Sequence, residues 1–164
     1  MQGEIMKALL KTMLIGALLA VAGGVAIAAD TPDPVVGTWT LNTAKSTFDP
    51  GHELKSETRT YAQGADGTSV TVSGVAADGS SISQQSTFKY DNKPYPWSGT
   101  GDFDALALKR VNGSTVTATL MKAGKKVGST TRSISGHGKV LTLSNKTTGA
   151  DGKPHSAVLV FDKQ

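Results

Sequence analysis

Turn-forming residues recur along this chain at intervals that leave room for hairpins and little else. Ala65-Asp66-Gly67, Ala77-Asp78-Gly79, Asp91-Asn92-Lys93, Ser98-Gly99-Thr100-Gly101, Asn112-Gly113, Ala123-Gly124, Gly136-His137-Gly138 and Ala150-Asp151-Gly152 are spaced 9 to 14 residues apart. That is the spacing of short strands joined by tight turns. The segments between them are rich in Thr, Ser and Val, which suits a pleated, half-buried surface. Strands are expected over 36–42, 54–63, 68–76, 81–90, 103–111, 114–122, 126–135, 139–148 and 155–162. Parallel pairing needs long crossovers, and these gaps are too short for them. The expected fold is therefore an all-β, antiparallel up-and-down meander of about 8–10 strands. Closing it into a barrel removes two long exposed edges.

Alternation assigns each strand one apolar face. Val70 with Val72, Ile82 with Phe88 and Tyr90, Leu106 with Leu108, Val116 with Ala118 and Leu120, Leu141 with Leu143, and Ala157 with Leu159 and Phe161 all stand two, four or six residues apart. Side chains with that period share one side of a sheet. Bulky residues are few for a barrel this wide, so its interior is expected to keep a cavity.

A leader is expected ahead of the barrel. Lys7 and Lys11 precede the uncharged run Met13 to Ala22, and Ala26-Ile27-Ala28 offers small residues where a signal peptidase cuts. Residues 1–28 are read as a signal peptide, with Met6 an alternative start, and the product as exported, periplasmic or secreted. A transmembrane anchor is the alternative, since the uncharged span from Thr12 to Ala29 reaches 18 residues. The chain has no cysteine, so it has neither a disulfide framework nor a lipid-attachment thiol. Residues 29–35, with Pro32 and Pro34, are expected to be a flexible lead, and 36–164 a single β-barrel domain.

The barrel's opening residues carry a resemblance. Gly37-Thr38-Trp39 matches the G-x-W signature at the first strand of the calycin group, the lipocalins and their fatty-acid-binding relatives. With Thr40-Leu41-Asn42, Lys45-Ser46, Tyr90-Asp91, Tyr95-Pro96, Ala107-Leu108-Lys109-Arg110 and an end near Lys163, the chain resembles small exported bacterial lipocalin-like proteins of unassigned activity. The resemblance implies that Gly37 and Trp39 sit at the closed end of the barrel. It also implies that a late basic residue, Arg132 or Lys163, stacks on the tryptophan.

Charge and aromatic residues are unevenly distributed. Residues 29–104 carry 5 Lys and Arg against 10 Asp and Glu, and residues 105–164 carry 10 against 2. A meander turns those halves into two sides of one wall, one of them basic. Between Asp104 and Val160 there is no Phe, Tyr or Trp to stack on a base, so no nucleic-acid partner is expected. Aromatic rings concentrate in Tyr90-Asp91-Asn92-Lys93-Pro94-Tyr95-Pro96-Trp97, where two prolines stiffen the chain. Tyr95 and Trp97 are candidates for a ligand portal or for a lid over the core. Arg59, Arg110 and Tyr90 are candidates to meet a ligand's polar end.

No catalytic or metal-binding pattern is found. His52, His137 and His155 lie far apart without ligand spacing, no G-x-S-x-G elbow exists, and Asp102 with Asp104 lacks the rest of a calcium loop. No enzyme activity, metal or cofactor is expected. The reading is an exported, monomeric lipocalin-like barrel that binds a small hydrophobic or amphipathic ligand. The alternative is a cell-envelope interaction protein whose basic wall contacts an anionic surface.

Overall fold

The computed structural model describes residues 32–149 and 152–164. The expected leader and the first residues of the expected lead lie outside them. The described chain is one antiparallel sheet of eleven strands: β1 (Gly37–Leu41), β2 (Leu54–Gly64), β3 (Gly67–Ala76), β4 (Ser81–Phe88), β5 (Asp91–Pro96), β6 (Ser98–Gly99), β7 (Ala105–Arg110), β8 (Thr115–Lys122), β9 (Lys125–Ser135), β10 (Val140–Thr148) and β11 (Pro154–Lys163). A single 3-10 turn, Thr43–Lys45, follows β1. The nine expected strands are all present. Of the two additional ones, β5 falls in the proline-rich segment read as a connection and β6 in the turn signal Ser98-Gly99-Thr100-Gly101.

The sheet runs β5-β7-β8-β9-β10-β11-β1-β2-β3-β4-β6, so the first and last long strands pair and the wall curls into a nearly closed barrel. Trp39 stands opposite Lys163 on one side and Arg59 on the other. The two edges of the sheet are consecutive in sequence, because β5 and β6 are separated by Trp97 alone. The chain thus leaves β7 on one edge, turns at one residue and joins β4 on the other.

Between β4 and β5 the ladder is interrupted, and the prolines explain why. The Trp97 amide donates to the Asp104 carbonyl at 2.8 Å, on the β7 side. Alternation then turns the nitrogens of Pro94 and Pro96 toward β4, where proline has no hydrogen to offer. An edge is where a strand tolerates this. The Pro96 carbonyl points the same way and accepts a bond from Ser86 Oγ at 2.7 Å. β6 fits against β4 only because residue 99 is glycine: its φ is +113°, and a Cβ there would stand 1.9 Å from the Ser83 carbonyl oxygen.

The core is densest at one end, where Val35, Trp39, Phe88, Leu141 and Phe161 are fully buried. Trp39 Nε1 donates to the Val35 carbonyl at 2.7 Å, and the Lys163 ammonium lies 5.1 Å from the centre of its ring. Gly37, at φ +131°, leaves room for that lysine; a Cβ would stand 2.8 Å from Lys163 Cε. Residues 32–35 correct the expectation of a flexible lead: Val35 is buried and Asp33 is tied into an ion pair, so the segment plugs the barrel end.

Replacing Trp39 by alanine opens a cavity in this plug, and the expected loss is about 3–5 kcal/mol. Lys163→Ala removes only an exposed cation over the same ring and should lose at most about 1 kcal/mol. Urea unfolding of the two variants separates them. Equal losses would mean that the lysine, rather than the buried indole, holds the end shut.

Candidate functional site

Inward-facing positions alternate along every long strand, but beyond the plug several of them carry small or polar residues. Ala118 on β8, Thr130 on β9, Gln84 on β4 and Asn145 and Thr147 on β10 replace the bulky side chains that would fill the barrel. A cavity of about 410 Å³ results, walled by Val70, Leu106, Leu108, Leu120, Leu143 and Leu159. That volume falls in the range of sites for small organic molecules. Trp97 and Phe103 lie against each other with ring centres 5.3 Å apart, and both line the space.

Two arginines reach this apolar volume from its walls. Arg59 comes from β2 and Arg132 from β9, with side chains 12 % and 7 % exposed. Register explains their placement, since Arg59 pairs with Val72 and Arg132 with Val116 and Leu143, all inward-facing. Arg59 Nε donates to Glu57 Oε1 at 2.5 Å, and its guanidinium lies 5.4 Å from the centre of the Phe161 ring. Arg132 Nη2 donates to the Tyr90 hydroxyl at 2.7 Å, and its guanidinium lies about equally far from the rings of Tyr61 and Tyr90.

Behind Arg132 a second polar layer joins the cavity to the plug. The Tyr90 hydroxyl donates to Asp33 Oδ2, Arg110 Nη2 donates to the same oxygen at 2.8 Å, and the Val35 amide donates to Asp33 Oδ1 at 3.0 Å. Arg110 also lies over the Tyr90 ring, 4.2 Å from its centre. Burial works against ionisation of Asp33, but the bonds from Tyr90, Val35 and Arg110 and the charge of Arg132 outweigh it and hold the carboxyl below its usual range. Burial pushes the Tyr90 phenol up, so it stays a neutral relay between Asp33 and Arg132. Burial likewise opposes the charge on Arg59 and Arg132; Glu57 with Tyr61, and Tyr61 with Tyr90 and Asp33, outweigh it and raise both guanidiniums above their ordinary value.

The candidates named from sequence thus separate into three places. Arg59 and Trp97 line the cavity. Tyr90 and Arg110 lie in the layer behind it. Tyr95 is half-buried against the core, opposite Leu106, but is not among the cavity-lining residues; its hydroxyl donates to Asp91 Oδ2 at 3.0 Å. Of the two candidates to stack on Trp39, Lys163 lies over that ring and Arg132 lies over Tyr61 and Tyr90. Sequence reasoning missed Arg132 as a cavity residue, although its place two residues from Ile134 on an alternating strand carried the signal.

Folding brings two of the three histidines together. His52 and His155, far apart in sequence and without ligand spacing, meet at the open end of the cavity beside Asp49, with ring centres 4.8 Å apart. Among the described residues these three form a group of side chains able to hold a metal. His137 stays apart, exposed in the turn between Gly136 and Gly138.

No protein-family model and no curated protein sequence matches the chain. Among solved structures, zebrafish ileal bile acid-binding protein complexed with cholic acid matches with a TM-score of 0.49 at 13 % identity, covering 80 % of this chain and 99 % of that one. A redesigned β-barrel, mFAP1, bound to DFHBI matches at 0.41 and 14 %, covering 79 % and 95 %. The siderocalin Ex-FABP matches at 0.39 and 9 %, covering 80 % and 74 %.

The Asp33 layer makes stability depend on acid in a defined direction. Its folded pKa lies below the ordinary 3.8, so its contribution is complete above that value and is lost as pH falls through the lowered one. Asp33→Asn is expected to lose about 2 kcal/mol at neutral pH, since it leaves Arg132 without its buried counter-charge. The difference between the two proteins should shrink as the pH drops below 4. Denaturant unfolding across that window measures it, and a pH-independent difference would remove Asp33 ionisation from the account.

Proposed function

We propose that this chain is an exported carrier barrel for a small amphipathic molecule with one anionic end. The observation that carries this is the cavity of about 410 Å³, apolar in its walls and lined by both Arg59 and Arg132. The ion network of the barrel end sets two carboxylates, Asp33 and Glu57, against three guanidiniums, Arg59, Arg110 and Arg132. One positive charge is left over. A guanidinium has five N–H donors, and the bonds described above engage only some of them. A carboxylate or sulfonate entering the cavity would take up the remaining donors while its apolar body lies against the leucines, replacing water at both ends of its polarity. Export is inferred from the leader alone.

The test uses anilinonaphthalene sulfonate, a fluorescent apolar anion, on the full mature chain. One saturable site is expected. Arg132→Gln and Arg59→Gln should each weaken it about tenfold or more, the equivalent of a charge-assisted hydrogen bond of ~1.5–3 kcal/mol. Ala118→Trp, opposite Thr130 in the cavity wall, fills the cavity with both arginines still present and should abolish binding. Unchanged affinity in Ala118→Trp would place the probe outside the barrel. Equal binding of an uncharged analogue would remove the arginines from recognition.

A second reading concerns the outer wall. Strands β7 to β11 are contiguous in the sheet, and Lys109, Lys122, Lys125, Lys126, Lys139 and Lys146 on or beside them are exposed. That wall supports contact with an anionic envelope surface. Cosedimentation with phosphatidylglycerol vesicles should then be strong at low ionic strength and lost at high salt. Salt-insensitive or absent binding would end this reading.

A further inference from the structure

We propose that Asp49, His52 and His155 form a site for a divalent first-row transition metal at the mouth of the cavity. The three come from opposite ends of the sequence, and the backbone brings them together. Thr47 and Val158 exchange two hydrogen bonds of 2.8 Å, and the Val160 amide donates to Ser46 Oγ at 3.0 Å. This isolated bridge lays residues 46–49 antiparallel to β11, so Asp49 arrives beside His155. A turn closed by the His52 amide on the Asp49 carbonyl at 2.9 Å brings the second imidazole back over the carboxylate.

Both rings address one oxygen. His155 Nδ1 stands 2.5 Å from Asp49 Oδ2 and His52 Nδ1 stands 3.5 Å from it, and the three ligand atoms lie within 4.8 Å of one another. Donors bound to a tetrahedral ion at ~2.0–2.1 Å are spaced about 3.3 Å apart. Side-chain adjustments of about 1 Å reach that arrangement. His52, 60 % exposed, is free to make them, while Asp49 and His155 at 25 % and 22 % are held more firmly.

The donor set decides the class of ion. Two imidazoles and a carboxylate suit Zn²⁺, Cu²⁺ or Ni²⁺, whereas Ca²⁺ and Mg²⁺ require shells of oxygen. Three protein ligands leave a fourth position open, and all three residues line the cavity. That position is therefore accessible to a donor atom on whatever molecule occupies the barrel. The site itself stands whether or not the cavity holds an anion.

Titration of the full mature chain with Co²⁺, followed by the visible d–d bands of four- or five-coordinate cobalt and by displacement with Zn²⁺, tests the assignment. One equivalent is expected to bind. His52→Ala, His155→Ala and Asp49→Asn should each weaken binding at least about tenfold. His137→Ala should leave it unchanged, because that ring lies in a separate turn. His52 is exposed, so its variant keeps the fold, which far-UV circular dichroism checks. No saturable Co²⁺ or Zn²⁺ binding would overturn the site, as would full affinity in His52→Ala or a loss in His137→Ala equal to that in His155→Ala. Ca²⁺ competing as well as Zn²⁺ would overturn the class of ion.

Discussion

The barrel depends on a change of partner at one residue. Tyr95 and Pro96 lie against β7, Ser98 and Gly99 against β4, and Trp97 between them holds both edges of the sheet. A sheet with two free edges offers two rows of unpaired backbone groups to any other strand. Joining the edges through one covalent step sets them side by side, so that β6 pairs with Gln84 and Gln85 of β4 without demanding a continuous ladder. The remaining gap is where Pro94 and Pro96 present nitrogens without hydrogens, and Ser86 takes the one carbonyl there for which a bond is described. Burial of Trp97 anchors the step, because swinging either edge outward would expose the indole along with Phe103.

That closure creates an interior in which charge needs partners. Taking guanidiniums and carboxylates out of water costs several kcal/mol each unless geometry restores the lost interactions. Asp33 therefore accepts bonds from Tyr90, Arg110 and the Val35 amide, and Glu57 sits against Arg59. Aromatic faces complete the accommodation: Arg59 on Phe161, Arg110 and Arg132 on Tyr90. The groups that stabilise the closed end also reach the cavity wall. The plug segment carrying Asp33 holds the arginine layer in place, and that layer reaches the cavity at Arg132.

Much of this was legible in the chain because hairpin spacing and alternation are local signals. Turn residues marked nine strands, and the inward positions of Val70, Leu106 and Leu159 followed from a period of two. What was not legible depended on contacts across the barrel. Two prolines read as a stiff connection, and only the pairing with β7 shows that they form an edge strand. Pro32 and Pro34 suggested a loose lead; the burial of Val35 and the ion pair of Asp33 with Arg110 come from residues that arrive later in the chain. By resemblance Arg132 is a candidate to stack on Trp39; that it enters the cavity wall depends on the counter-charge of Asp33, far away in sequence. His52 and His155 share no sequence spacing at all and meet only because Thr47 pairs with Val158.

The two ends of the barrel consequently do different work. At the closed end, Trp39, Phe161 and the docked lead exclude water, and every charge described there is held by a partner of opposite sign or by an aromatic face. At the open end, the loop from Thr47 to His52 is fixed by one backbone bridge and then left exposed, with His52 at its tip. The bridge ties this loop to the β11 register that shapes the cavity, and the exposed tip beyond it is held by short-range bonds such as His52 to the Asp49 carbonyl. Asp49 and Arg132 line the same cavity, so a carboxylate stands near its open end and a guanidinium deeper in its wall. His52 and His155 lie beside that carboxylate, so two imidazoles face the one carboxylate at the mouth while the guanidiniums stand in the wall below.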